Sequence, residues 1–189
     1  MNIGLYFGSF NPIHTGHLII AKYFINNTDL KQVWLVVSPQ NPLKTSKSLL
    51  NEYHRLHLVQ TAIEGENNLK ASSVEFNLPK PSYTIDTLIY LEEKYPEHKF
   101  VIIMGSDSIT NIAKWKNYEL LLKNYDIYIY PRPLFDNSNM FLQKEKIINA
   151  PTIDISSTVI RKLIQEKKSI RYLVPDSVKE EIEKNNYYR

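Results

Sequence analysis

The sequence predicts an α/β fold: an open, mainly parallel sheet with helices on both faces. Three observations carry that expectation. Four short runs, Asn2–Phe7, Val33–Val37, Phe100–Met104 and Ile127–Tyr130, are continuously apolar or aromatic, the pattern of strands buried on both sides. Longer segments of helical pattern separate them, so strand and helix alternate, which favours parallel pairing. The runs are closed by Gly8, Ser38-Pro39, Gly105 and Pro131-Arg132-Pro133, residues that punctuate loops. The chain has 189 residues, enough for one domain (1–189) with a real core, and it shows no internal repeat or low-complexity linker.

In chain order, the first strand leads through Gly8 into a helix over Leu18–Asn27, which carries Leu18, Ile19, Ala21, Tyr23, Phe24 and Ile25. After the second strand comes a proline-containing loop, Pro39–Ser48, with Lys44 and Lys47. A helix then opens at Asn51–Leu56 and buries Leu56, Leu58, Val59, Ala62 and Ile63. Ala71–Phe76 reads as a weaker strand. Pro79-Lys80-Pro81 breaks the chain before a helix from Ser82 to about Tyr95. Trp115–Lys123 has helical pattern, and Asp136–Asn139 is a polar loop. Thr152–Ile155 is short and extended, Ser156 or Ser157 caps a helix through Glu166, and Pro175 opens a last helix to about Asn185.

The densest chemistry lies at the first strand-to-helix turn, Gly8-Ser9-Phe10-Asn11-Pro12-Ile13-His14-Thr15-Gly16-His17. Three of the chain's 5 glycines fall in its first sixteen residues. Gly8 allows a sharp turn and Gly16 a close approach to the backbone. The first turn of a helix leaves N–H groups unpaired and carries partial positive charge, which suits phosphate. His14 and His17, three residues apart, share a face and add donors. An ordinary turn with surface histidines is the alternative. A metal pair is another, but no Cys, Asp or Glu lies nearby to complete a ligand set.

In parallel sheets ligands gather at the carboxyl ends of strands, so the polar segments after the other strands are weighed too. Lys44 reaches either a phosphate or solvent. Gly105-Ser106-Asp107 follows a strand eight residues before Trp115; Asp107 caps a helix or serves a ligand, and Trp115 is core or a stacking surface. Ile155-Ser156-Ser157-Thr158-Val159-Ile160-Arg161 places hydroxyls at a helix start with Arg161 one turn on. That is a phosphate seat or a plain cap with a surface arginine.

Gly-Ser-Phe-Asn-Pro-x-His-x-Gly-His resembles the signature of the nucleotidyltransferase superfamily, and Ile-Ser-Ser-Thr-x-Ile-Arg resembles its second nucleotide-binding motif. Ser82-Tyr83-Thr84-Ile85-Asp86-Thr87 together with Gly-x-Asp…Trp resembles the acceptor segments of nicotinate-nucleotide adenylyltransferases. The loop ending in Lys44 has Leu43 where many members have histidine. The resemblance implies a Rossmann-like fold and adenylyl transfer from ATP to nicotinate mononucleotide in NAD biosynthesis, yielding nicotinate adenine dinucleotide and pyrophosphate. Transfer to pantetheine phosphate or nicotinamide mononucleotide is the alternative.

It further implies that His14 and His17 are catalytic. Gly8, Ser9, Phe10, Lys44, Gly105, Asp107, Ile155, Ser156, Ser157 and Arg161 would bind ATP. Tyr83, Thr84, Trp115 and Arg132 would bind the nicotinate nucleotide. Mg²⁺ would be held chiefly by ATP phosphates, with no protein metal site.

Composition narrows the setting. Hydrophobic residues make up 43% and charged residues 23%, and no apolar run approaches a membrane span. No charged n-region precedes a cleavable apolar segment, so a cytoplasmic location without membrane partners is expected. Zero cysteines exclude disulfides and thiolate chemistry. The net charge of +3 is too small to argue for nucleic acid, and no basic stripe with interleaved aromatics is present, yet it suits a pocket for nucleotides. Homo-oligomerisation is left open.

Overall fold

The computed structural model describes residues 1–40, 48–132, 145–148 and 150–189. Lys44 and the polar loop Asp136–Asn139 lie outside them. Six strands form one sheet: β1 (Asn2–Gly8), β2 (Gln32–Val37), β3 (Leu69–Ser72), β4 (Lys99–Gly105), β5 (Asp126–Tyr130) and β6 (Glu145–Ile147). Their order is β3-β2-β1-β4-β5-β6, and every neighbouring pair is parallel. The chain winds outward from β1 to β3, then crosses back to β4 and winds the other way. The direction therefore reverses between β1 and β4, where open parallel sheets place their ligand crevice.

Alternation along the central strands explains why these runs are apolar throughout. Val33, Leu35 and Val37 of β2 and Val101 and Ile103 of β4 face one core, which also holds residues of α1 (Thr15–Asn27), α2 (Glu52–Ala62), α6 (Ser157–Gln165) and α7 (Asp176–Lys184). Trp34, Val36, Phe100, Ile102 and Met104 face a second core with α3 (Thr84–Lys94). The short α4 (Ser106–Ile109) and α5 (Tyr118–Asn124) cover the same side through Ile109 and Leu121. Helices thus cover both faces, and no side of a central strand can be polar. Among the described residues no helix is long and apolar enough to cross a membrane.

Several boundaries differ from the expectation. Ala71–Phe76 is not one strand: β3 ends at Ser72, and a 3₁₀ turn, Val74–Asn77, follows. Val74 packs on the second core and Phe76 on the first, so a turn reproduces the alternating burial of a strand. Trp115–Lys123 is not one helix. Trp115 is extended, Asn117 is left-handed at φ 51°, and α5 begins only at Tyr118. The first helix starts at Thr15 rather than Leu18, with His14 as its cap. The edge strand β6 carries no apolar run and was not expected.

Arg55 of α2 fastens the loops above this sheet. It is fully buried and donates through Nε to the Leu50 carbonyl (2.7 Å), through Nη1 to Ser9 (2.5 Å) and Ser38 (2.8 Å), and through Nη2 to Pro39 (3.1 Å). The segments following β1 and β2 are thereby tied to α2. Arg55→Met should lower the unfolding free energy by about 3 kcal/mol or more, because buried carbonyls left without donors cost about 1–3 kcal/mol each. Urea unfolding of the two proteins measures this; an unchanged midpoint and slope would show that the four bonds do not hold the loops.

Candidate active site

The segments after β1, β4 and β5 and the start of α6 enclose a cleft of about 590 Å³ at the reversal point. Every described residue to which the sequence assigned a catalytic or binding role lines it. Gly8, Ser9, Phe10, His14 and His17 come from the first turn. Gly105 and Asp107 follow β4, and Arg132 follows β5. Ile155, Ser156, Ser157 and Arg161 come from the start of α6, and Tyr83, Thr84 and Trp115 form the remaining wall.

The turn after β1 is shaped by Phe10 more than by Gly8. Phe10 holds the left-handed backbone at φ 45°, and its ring folds back so closely that a Cβ on Gly8 would lie 2.9 Å from it. A side chain at Gly8 would drive this ring out of the core, where Phe10 is 2% exposed. Gly16 likewise admits the His14 ring, whose Nδ1 would be 3.1 Å from an added Cβ. The close approach anticipated at Gly16 is thus made by the protein's own imidazole.

The two histidines form one unit. Their rings stack with centroids 3.6 Å apart at 27°, and Phe10 sets its edge against His17 at 5.0 Å. The His14 main-chain N–H donates to His17 Nδ1 at 3.2 Å. That bond leaves Nε2 to carry the His17 proton, making it a fixed donor. Burial, with the positive charge of Arg132 behind it, lowers the His14 pKa from 6.5 to about 4. Burial, then His14, then Arg132, holds His17 well below its ordinary value too. Both rings are neutral near pH 7, and two imidazoliums could not stack at this distance.

The second motif is bonded to the first. The Ser157 hydroxyl donates to the Pro12 carbonyl at 2.9 Å, and Arg161 Nη1 donates to the Asn11 carbonyl at 2.8 Å. Ser156 is the actual cap of α6, accepting from Val159 N–H at 3.3 Å. Arg161 keeps further donors, one of them on Thr158 at 3.3 Å. Asp107 does not cap a helix: it lies inside the single turn of α4, 3.8 Å from Arg132 Nε. Arg132 also donates to the Tyr130 hydroxyl at 3.2 Å, which meets the Tyr6 hydroxyl at 3.0 Å under the cleft. At the opposite wall, Lys116 Nζ sits 4.9 Å over the Tyr83 ring and pairs with Asp86 at 2.8 Å.

Sequence inspection did not single out Arg55, Asn11, Tyr6, Tyr130, Lys116 or Glu75 as site residues. Asn11 is buried and bridges to the main chain of Ser48 (3.0 Å) and Leu50 (3.1 Å). For Tyr130 a signal existed, since it closes β5 two residues before Arg132. For Arg55 none did, because three of its partners lie more than fifteen residues away.

A parallel sheet reversing beside paired histidines on a helix start defines a nucleotide-handling α/β protein, and residues 5–163 match the cytidylyltransferase-like family. The chain is 52% identical over its whole length, and 98% of the relative's, to a probable nicotinate-nucleotide adenylyltransferase of Cytophaga hutchinsonii. It is 51% identical to that of Flavobacterium psychrophilum, with both chains fully covered. The solved Plasmodium falciparum nicotinic acid mononucleotide adenylyltransferase complexed with NaAD superposes with a TM-score of 0.84 at 25% identity, covering 99% of this chain and 97% of that one. The chain belongs to the nicotinate-nucleotide adenylyltransferase branch of the cytidylyltransferase-like family.

Because the buried histidines bind protons more weakly in the folded than in the unfolded chain, acid favours unfolding. Their contribution to stability is complete above the unfolded-histidine pKa of about 6.5 and is lost as pH falls toward 4. Thermal melts between pH 7.5 and 4.5 should show the fall, and a His14→Asn, His17→Asn double variant should show a shallower one. Equal slopes would place the acid sensitivity in other groups.

Proposed function

We infer that the protein transfers the adenylyl group of ATP to nicotinate mononucleotide, giving nicotinate adenine dinucleotide and pyrophosphate for NAD biosynthesis. An oxygen of the acceptor's phosphate attacks the α-phosphorus of ATP, the bond from that phosphorus to the β-bridging oxygen breaks, and pyrophosphate leaves. The nucleophile is already ionised at neutral pH, so no general base is required. Catalysis rests on aligning two phosphates and stabilising charge at the phosphorus under attack. The observation that carries the reading is the bonded pair of motifs: the histidine turn and the α6 start, fixed together beside one cleft.

In this reading His14 and His17 hold the reacting phosphates as neutral N–H donors, with His17 Nε2–H the better fixed. Ser156, Ser157 and the start of α6 seat the triphosphate, and Arg161 adds charge-assisted bonds. Lys44 would stabilise the triphosphate from its loop. Gly8, Ser9, Phe10, Gly105, Asp107 and Ile155 line the space for the nucleotide. Tyr83, Thr84, Trp115 and Arg132 serve the acceptor, Arg132 from the histidine end. Mg²⁺ would neutralise phosphate charge when bound. It would be held chiefly by the ATP phosphates and water. No step above depends on a protein-held ion.

Pyrophosphate release from ATP with a panel of phosphorylated acceptors tests the reaction. Turnover with pantetheine phosphate and none with nicotinate mononucleotide would reject it. His17→Ala should lower kcat by about a hundredfold or more with the fold kept, the scale for one lost preorganised donor. Near-normal turnover in that variant would remove the histidine from the reacting phosphates.

The acceptor wall favours an acid. The N–H groups at the start of α3 suit a carboxylate, and Trp115 offers a face to the pyridine ring. Asp86, the one carboxylate in the segment, pairs with Lys116 and does not line the cleft. A carboxamide would turn its NH₂ toward donors, leaving them unpaired at about 1–3 kcal/mol each. Nicotinate mononucleotide should therefore exceed the nicotinamide form by about tenfold or more in kcat/KM, and Trp115→Ala should lower kcat/KM for both. Equal rates with the two acceptors would refute the preference.

A further inference from the structure

Glu75 is a buried acid to which adenylyl transfer gives no task. It sits in the 3₁₀ turn after β3, 2% exposed, on the cleft wall that carries Ser82, Tyr83 and Thr84. Its Oε1 meets the Thr87 hydroxyl at 3.1 Å, whereas among the described residues neither the buried Oε2 nor the hydroxyl of Ser82 makes a hydrogen bond. Among the described residues the cations of this region are engaged elsewhere: Lys80 with Glu52, Lys116 with Asp86, Lys114 with Asn111, and Arg132 toward Asp107. Burying a carboxylate with no cation beside it is costly and favours the protonated form. Burial is accordingly the leading influence on Glu75 and raises its pKa, against the opposing hydroxyls of Ser38, Thr87 and Ser82.

Counting protons leads to the same state. Thr87 Oγ1 has one proton and two acceptors in reach, Glu75 Oε1 at 3.1 Å and the Tyr83 carbonyl at 3.3 Å. Both contacts are satisfied at once when the acid O–H donates to Thr87 and Thr87 donates to Tyr83. Tyr83 is the cap residue of α3, and its carbonyl also receives the N–H groups of Asp86 (3.0 Å) and Thr87 (3.2 Å). The relay therefore pins the turn whose free N–H groups face the acceptor.

We propose that Glu75, kept as the neutral acid, is a positioning residue that makes this wall selective for a mononucleotide with a carboxylate on its ring. It holds the Tyr83–Thr87 turn through Thr87 and puts no negative charge beside the incoming anion. The proposal rests on the acceptor reading above. An ionised Glu75 would repel the substrate it helps to seat; an amide of the same shape would not.

The test is steady-state kinetics of Glu75→Gln, Glu75→Ala and Thr87→Val with ATP and both pyridine mononucleotides. Glu75→Gln should stay within about threefold of the parent in every constant, since it keeps a neutral donor. Glu75→Ala and Thr87→Val should each raise the KM for nicotinate mononucleotide about tenfold and shrink its advantage over the nicotinamide form, the scale of one lost buried hydrogen bond. Their KM for ATP should move less than about threefold. Glu75→Gln behaving like Glu75→Ala would overturn the neutral state. A rise in both KM values together, or none in either, would make the role structural only. The infrared difference spectrum of the free parent and Glu75→Gln proteins must contain the carbonyl band of a protonated acid, and a carboxylate band in its place refutes the proposal independently of turnover. A parent protein inert toward nicotinate mononucleotide would reject the acceptor reading, while that band still decides the state of Glu75.

Discussion

A guanidinium that has no carboxylate partner among the described residues, fully buried at Arg55, organises the upper end of the sheet. Its charge is balanced by carbonyl dipoles from Ser9, Ser38, Pro39 and Leu50, which belong to three different loop segments. Removal from water lowers its affinity for the proton, yet arginine's very high intrinsic pKa keeps it charged. Charge-assisted bonds to main-chain oxygens are stronger than neutral ones. The loops leaving β1 and β2 consequently behave as one piece with α2, and one of those carbonyls, that of Ser9, belongs to the histidine turn itself. Asn11 adds a second brace from the same turn to Ser48 and Leu50.

On that base the site is assembled from the two ends of the chain. Ser157 and Arg161 bond to the carbonyls of Pro12 and Asn11, and Thr15 is bonded to the main chain of Tyr172 and Leu173. The histidine pair is thus enclosed on several sides, and its enclosure sets its chemistry. Burial beside Arg132 keeps both rings neutral, so they offer directed N–H donors rather than diffuse positive charge. At the histidine end the cations lining the cleft are Arg132 and Arg161, whose charge survives desolvation where a histidine's does not.

The opposite wall follows a different principle. Its polar groups are neutral or internally paired: Asp86 with Lys116, Glu75 with Thr87, Tyr83 under a lysine. The surface it offers the cleft is aromatic, from Tyr83 and Trp115, beside the start of α3. One cleft therefore joins an end of paired histidines and helix-start donors to an aromatic end.

Much of this was legible in the sequence because it is local. A strand buried on both faces must be continuously apolar, and a helix start that seats an anion needs glycine, hydroxyls and cationic or imidazole donors within a few residues. Hence the four central strands and the two motifs beside the cleft could be read in order. Folding decided what depends on groups far apart in the chain. The alternation of Val74 and Phe76 fits a strand or a turn equally, and only packing on two separate cores selects the turn. The left-handed Phe10 is stable because its ring is buried, not because its sequence favours that backbone. Arg55 looks like any helical arginine until the loops of Ser9 and Ser38 arrive above it. The sequence by itself determined the four central strands, the helices between them and the two motifs that meet at the cleft. The protonation of the histidines and of Glu75, and the bonds locking one motif to the other, were decided only by tertiary structure, since desolvation and long-range hydrogen bonds exist only once distant segments exclude water together.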